Sequence, residues 1–119
     1  MKQTTQKQYE AFQKCVRYWV DRLKIVGWEL GFLHEPLERA YATISVNYLG
    51  RCVTFRFTSQ LRDDLWPYTM AEIKKTAKHE VVHLFLAELY TLGCARFATE
   101  DEINHAEHRL VRQLEEVID

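Results

Sequence analysis

KHEVVHLFLAEL, residues 78–89, is the stretch on which the reading of this chain turns. It contains His79-Glu80-Val81-Val82-His83, two histidines four residues apart with a carboxylate directly after the first. On an α-helix, residues at that spacing lie one above the other on the same face. Two imidazoles so placed can converge on one metal ion, each nitrogen about 2.0–2.1 Å from a zinc. Glu80 sits beside the pair without occupying the metal. It is placed as a general base for a water whose pKa such a metal lowers towards about 7. The apolar neighbours Val81, Val82, Leu84 and Phe85 point to a packed helix rather than a solvated one.

Working outward, Pro67 and the capping box Thr69-x-x-Glu72 mark the start of this helix, and Gly93 suits the position just past its end. A second box, Thr99-x-x-Glu102, opens a last helix running almost to the C-terminus. Upstream, Thr5-x-x-Gln8 begins a helix over about 6–25, on which Tyr9, Phe12, Val16, Trp19, Val20 and Leu23 form one stripe; Gly27 ends it. Between these helices lie three strand candidates. Trp28–His34 is short and apolar, and His34 is expected in the turn that follows. Across 40–48, Ala42, Ile44, Val46 and Tyr48 alternate with polar residues, as Val53, Phe55 and Phe57 do across 51–58. Together 40–58 predicts a β-hairpin, with Gly50 supplying a positive φ at its turn. The 51–58 strand is a candidate edge able to pair with an extended peptide. The order helix, three strands, helix, helix is an α+β layout in one domain, 1–119.

Two histidines leave zinc short of the three protein ligands usual at a catalytic site. The last helix offers His105, Glu107 and His108. With Ile103 as origin, Glu107 falls about 40° round the helix, inside the stripe of Ile103, Leu110, Val111 and Leu114, whereas His105 and His108 fall off it. A carboxylate on a core-facing stripe is costly without a partner. Glu107 is therefore the expected third ligand, with His105 or His108 as alternatives that need a rotated helix.

Composition narrows the class. The chain has 119 residues, 47% of them apolar and 13% aromatic, enough for one packed core. Its formal net charge of −1 gives no global field for nucleic acid, which is not an expected partner. Lys74, Lys75 and Lys78 form a short basic patch, read as a solvated helix face. Cys15, Cys52 and Cys94 are scattered and odd in number, which argues against a thiolate cluster or disulfide framework. The polar opening MKQTTQKQYE and the absence of a long apolar run lead to the expectation of a cytoplasmic protein without a membrane partner.

These residues resemble a known family. His79-Glu80-x-x-His83 followed by Glu107 on the next helix is similar to the gluzincin arrangement of metallopeptidases. Over roughly 25–118 the chain resembles the small zincin-like metallopeptidases of phages and prophages, distant relatives of SprT-like proteins. Trp28, the 40–58 hairpin, KHEVVHLFLAEL at 78–89 and AEHRLVRQLE at 106–115 carry that resemblance. It implies a minimal zincin-like domain holding one Zn2+ per chain, with His79, His83 and Glu107 as ligands and Glu80 as catalytic base. It also implies a protein or peptide substrate, and the cytoplasm of a bacterial host. SprT-like proteins often use a third histidine, so they are the looser match. The residues leave two other functions open: a zinc-stabilised interaction module, and a zinc hydrolase acting on a non-peptide bond. They select no oxyanion-stabilising hydroxyl between Tyr68 and Tyr90, and no oligomeric state.

Overall fold

The computed structural model describes residues 1–118. Its element order is β1 (Lys2–Gln3), α1 (Gln6–Arg22), β2 (Glu29–Glu35), β3 (Ala42–Asn47), β4 (Cys52–Thr58), β5 (Gln60–Leu61), a 3-10 turn at Asp63–Leu65, α2 (Met70–Phe85), α3 (Ala87–Cys94) and α4 (Glu100–Glu115). The α+β class expected from sequence is the class observed. β2, β4 and β3 form one mixed sheet in that order, and β1 pairs antiparallel with β5 in a second, two-stranded one. No helix among the described residues is long and apolar enough to cross a membrane.

All three capping boxes form. Thr5, Thr69 and Thr99 each accept from the backbone N–H three residues on, while Gln8, Glu72 and Glu102 reach back to the cap. Each cap satisfies N–H groups that a helix start otherwise leaves without partners.

The hairpin also forms, with Ala42 opposite Phe57 and Asn47 opposite Cys52. Its turn differs from expectation in which residue is left-handed: Arg51 takes φ 53°, and Gly50 does not have a positive φ. Gly50 instead makes room for the Asn47 side chain. Its N–H donates to Asn47 Oδ1 at 2.9 Å, and a Cβ there would lie 2.8 Å from Asn47 Nδ2. The Arg51 guanidinium lies over the rings of Trp28 and Tyr48, 5.1 and 4.8 Å from their centroids. Those contacts help offset the cost of its left-handed backbone.

Four further expectations are corrected. First, β4 is central, not an edge: β2 runs parallel to it on one side and β3 antiparallel on the other. Val53, Phe55 and Phe57 share one face of β4 and are all buried, with Phe12 of α1 stacked on Phe57. β2 and β3 are the edge strands of this sheet. Second, α1 ends at Arg22, before Gly27. Lys24 is left-handed at φ 57°, and the Lys24 and Ile25 N–H groups return to the carbonyls of Asp21 and Val20, a Schellman ending. Third, the helix begun at Thr69 does not run on to Gly93. It breaks at Leu86, where ψ is 3°, and Gly93 lies in the last turn of α3. No Gly or Pro marks this break. It turns Ala87 into the core and brings Glu88 to Arg109 of α4.

The fourth correction concerns His34, which belongs to β2 rather than a turn. It stacks on Tyr9 with centroids 4.6 Å apart, and its Nε2 meets Thr4 Oγ1 at 2.6 Å. Thr4 in turn donates to the Thr58 carbonyl. This knot ties the N-terminal strand to the sheet. Below it lies the core, with Phe12 stacked on Phe57 at 4.9 Å and Tyr68 on Tyr41 at 4.5 Å.

Desolvation holds the His34 pKa below its ordinary 6.5, against a smaller opposing hydrogen bond with the Thr58 backbone. The unfolded chain therefore takes up the proton first, and stability falls as pH drops through 6.5 towards the folded value. Thermal melts between pH 7.5 and 5 should show this loss, and His34→Gln, which keeps a donor for Thr4, should flatten it. An identical pH slope in both proteins would contradict the assignment.

Candidate metal centre

α2 is rotated so that Ile73, Ala77 and Val81 are fully buried and Leu84 nearly so. That phase puts His79 and His83 on the exposed side of the helix and turns Glu80 inward, to 7% exposure. The two imidazoles converge: Nε2 of His79 and Nε2 of His83 are 3.2 Å apart, with ring planes 82° to each other. Tetrahedral bonds of about 2.0–2.1 Å place two ligand nitrogens roughly 3.3–3.4 Å apart. The pair therefore fits a zinc-sized ion. One neutral imidazole donating to the other has the same spacing, so the geometry serves with or without metal.

Burial pushes the Glu80 carboxyl up from its ordinary range, and the neighbouring imidazoles of His83 and His79 pull it partly back. A raised carboxyl pKa suits a group that must accept a proton and then give it up.

Glu80 and His83 line a cleft of about 760 Å3 between β3 and the α2–α3 corner. Ala42, Ile44 and Val46 form its apolar wall, and Tyr90 and Thr91 stand opposite. This explains the alternation read in 40–48: the apolar face of β3 is only half core. Ala42 is 7% exposed, while Val46, nearer the turn, is 38% exposed and faces the cleft. The wall's location was not legible in sequence, because period-two patterning looks the same whether it meets a core or a cleft. Tyr68 and Tyr90 differ in position. Tyr68 is buried, its hydroxyl bonded to Thr76 and its pKa pushed up to about 12, chiefly by burial. Tyr90 is 74% exposed and borders the cleft.

The third-ligand position stands differently. Glu107, His105 and His108 are all exposed, and among the described residues no group of three His, Cys, Asp or Glu side chains is gathered for a metal. Glu107 was expected on the core-facing stripe of α4, and that expectation is corrected. The inward face runs through Ile103, Ala106, Leu110, Gln113 and Val117, while Val111 and Leu114 are 45% and 38% exposed. Gln113 sets this phase. Its amide donates to the carbonyls of Leu23 and Lys24 at the end of α1. Arg109 pairs with Glu88 and Lys24 with Glu116, fixing the same rotation. A polar residue was not expected on the buried face, which is why the stripe was drawn too far towards Glu107. His108 is engaged within its own helix, Nδ1 lying 2.8 Å from the Asn104 carbonyl.

No family model and no curated protein matches the chain. Among solved structures, the metallopeptidase zymogen jannalysin of Methanocaldococcus jannaschii aligns over 96% of both chains at 14% identity. Its TM-score is 0.41, too loose a likeness to bear on fold or function.

Metal analysis after zinc loading should give one zinc per chain, and His79→Ala or His83→Ala should weaken binding by about tenfold or more. Glu107→Ala tests the third ligand separately. Weaker binding in that variant would mean that α4 turns or shifts when metal enters, whereas full retention would exclude Glu107.

Proposed function

We propose that the chain is a zinc-dependent peptide hydrolase with Glu80 as its general base. One observation carries this reading: a desolvated carboxylate lies beside two convergent imidazoles at the foot of a cleft whose wall is an edge strand, open on one side. His79 and His83 hold the ion, and Glu107 on α4 is the proposed third ligand. When bound, zinc supplies Lewis acidity to the scissile carbonyl and acidifies water.

The chain's own residues do the remainder. The free edge of β3 offers backbone N–H and C=O groups to an extended peptide, giving affinity independent of side chains. Ala42, Ile44 and Val46 present small and medium apolar surfaces along that edge, favouring apolar side chains at alternate positions. Glu80 accepts the proton of the attacking water and delivers it to the leaving amine. Burial raises its carboxyl pKa, which favours the first transfer, and the imidazoles of His83 and His79 oppose that rise. Tyr90, the exposed phenol bordering the cleft, donates to the carbonyl oxygen as negative charge builds on it. We place this activity in one domain spanning 1–119, in the cytoplasm of a bacterial host.

Glu80→Gln should retain zinc and lose cleavage across a peptide library by about a thousandfold. Tyr90→Phe should lower kcat by about a hundredfold with little change in KM. Cleavage that survives Glu80→Gln would contradict the base assignment. Zinc-loaded wild type that cleaves no peptide would contradict peptide hydrolysis altogether.

A further inference from the structure

α1 and α2 pack side by side, and on their outer surface they leave a groove of about 640 Å3 that the metal centre does not use. Lys14 rises from the α1 wall, and Lys74, Lys75 and Lys78 from the α2 wall. Tyr18 and Trp19 close one side, over a floor containing Ala11 and Cys15. No carboxylate lines it. Tyr18 is 58% exposed and meets Trp19 edge-on at 5.2 Å, so a two-ring apolar surface is presented to solvent. The Lys78 ammonium stands 5.3 Å from the centroid of the Trp19 ring. That position keeps one charge at the groove wall rather than out in solvent.

Four like charges around one apolar trough repel one another unless an anion enters. Such an arrangement is more selective than a solvated helix face, because the charge and the aromatic surface are on the same walls. We infer that this groove docks a short acidic peptide segment of a partner protein, anchored by one aromatic or large aliphatic side chain against Tyr18 and Trp19. The volume suits a few residues and falls in the usual range for binding clefts.

Charge outside the groove argues for a peptide over a nucleic acid. The chain's net charge is −1, and acidic residues cluster elsewhere, as in the first turn of α4 with Glu100, Asp101 and Glu102. A polyanion extending beyond the groove would meet little further attraction. The surface is concave, with Trp19 recessed, so it does not present the protruding apolar ridge with which a helix enters a bilayer.

The test uses the full chain, with and without zinc. The probe is a fluorescein-labelled ten-residue peptide of Glu and Asp with one central Phe, followed by anisotropy. Saturable binding is expected, weakening as salt rises from 50 to 300 mM. The double variant Lys14→Glu/Lys74→Glu, with one exposed substitution on each wall and unchanged far-UV circular dichroism, should bind about tenfold or more weakly. Tyr18→Ser, and a probe with Ser in place of Phe, should each weaken binding several-fold, about the loss of one aromatic contact. All of this should be independent of zinc, so failure of the metal assignment leaves the result readable. The proposal is overturned by no saturable binding, or by binding indifferent to the charge reversal. It is equally overturned if a thymidine oligonucleotide or phosphatidylserine vesicles bind and the peptide does not displace them.

Discussion

The rotation of α2 about its own axis is the constraint on which the rest of the structure depends. Its first turn is fixed by Tyr68, which stacks on Tyr41, bonds Thr76 through its hydroxyl and accepts from the Gln8 side chain through its carbonyl at 2.9 Å. Thr69 then caps the helix, and Ile73, Ala77 and Val81 lock one face into the core. Once that face is seated, every other residue has its direction assigned. Glu80 goes in towards the β3 cleft, His79 and His83 go out together, and Lys74, Lys75 and Lys78 go to the side of α1. A turn of even one residue's angle, about 100°, would bury an imidazole or expose Glu80.

The site combines a rigid half and an adjustable one. The histidine pair and Glu80 belong to a single helix, so their mutual geometry follows from helical spacing and needs no tertiary coincidence. A third ligand from α4 depends instead on how that helix is docked. α4 is held by Gln113 at the end of α1, by the Arg109–Glu88 pair and by Ala106 in the core. These contacts leave Glu107 at the surface. The Arg109–Glu88 and Lys24–Glu116 pairs are at least partly exposed and contribute little energy individually, so they oppose a shift of α4 only weakly. Completing the coordination of a metal would compensate such a shift.

Much of the layout was legible in sequence because it is local. Three hydroxyl-to-carboxyl or hydroxyl-to-amide spacings marked three helix starts, and alternation marked the β3–β4 hairpin. His79, Glu80 and His83 were legible for the same reason, since one helix carries all three. What escaped was set by contacts distant in sequence. The positive φ of the hairpin turn falls on Arg51 rather than Gly50, which the glycine alone does not reveal. The break at Leu86 has no Gly or Pro and follows from burying Ala87. β4 became central because β2 comes alongside it in parallel, a pairing that no spacing announces. The stripe of α4 was misjudged because its inward face includes a glutamine that satisfies carbonyls of α1. The cleft wall, too, could be found only once β3 was seen at the sheet edge.

Zinc K-edge X-ray absorption on the loaded chain reads whether His79 and His83 together clasp one zinc ion. Multiple scattering from two imidazoles is expected, with zinc–nitrogen distances of about 2.0–2.1 Å, reduced to one imidazole in His83→Ala. A zinc environment of oxygen ligands without imidazole scattering, or a spectrum that His83→Ala leaves unchanged, would contradict it.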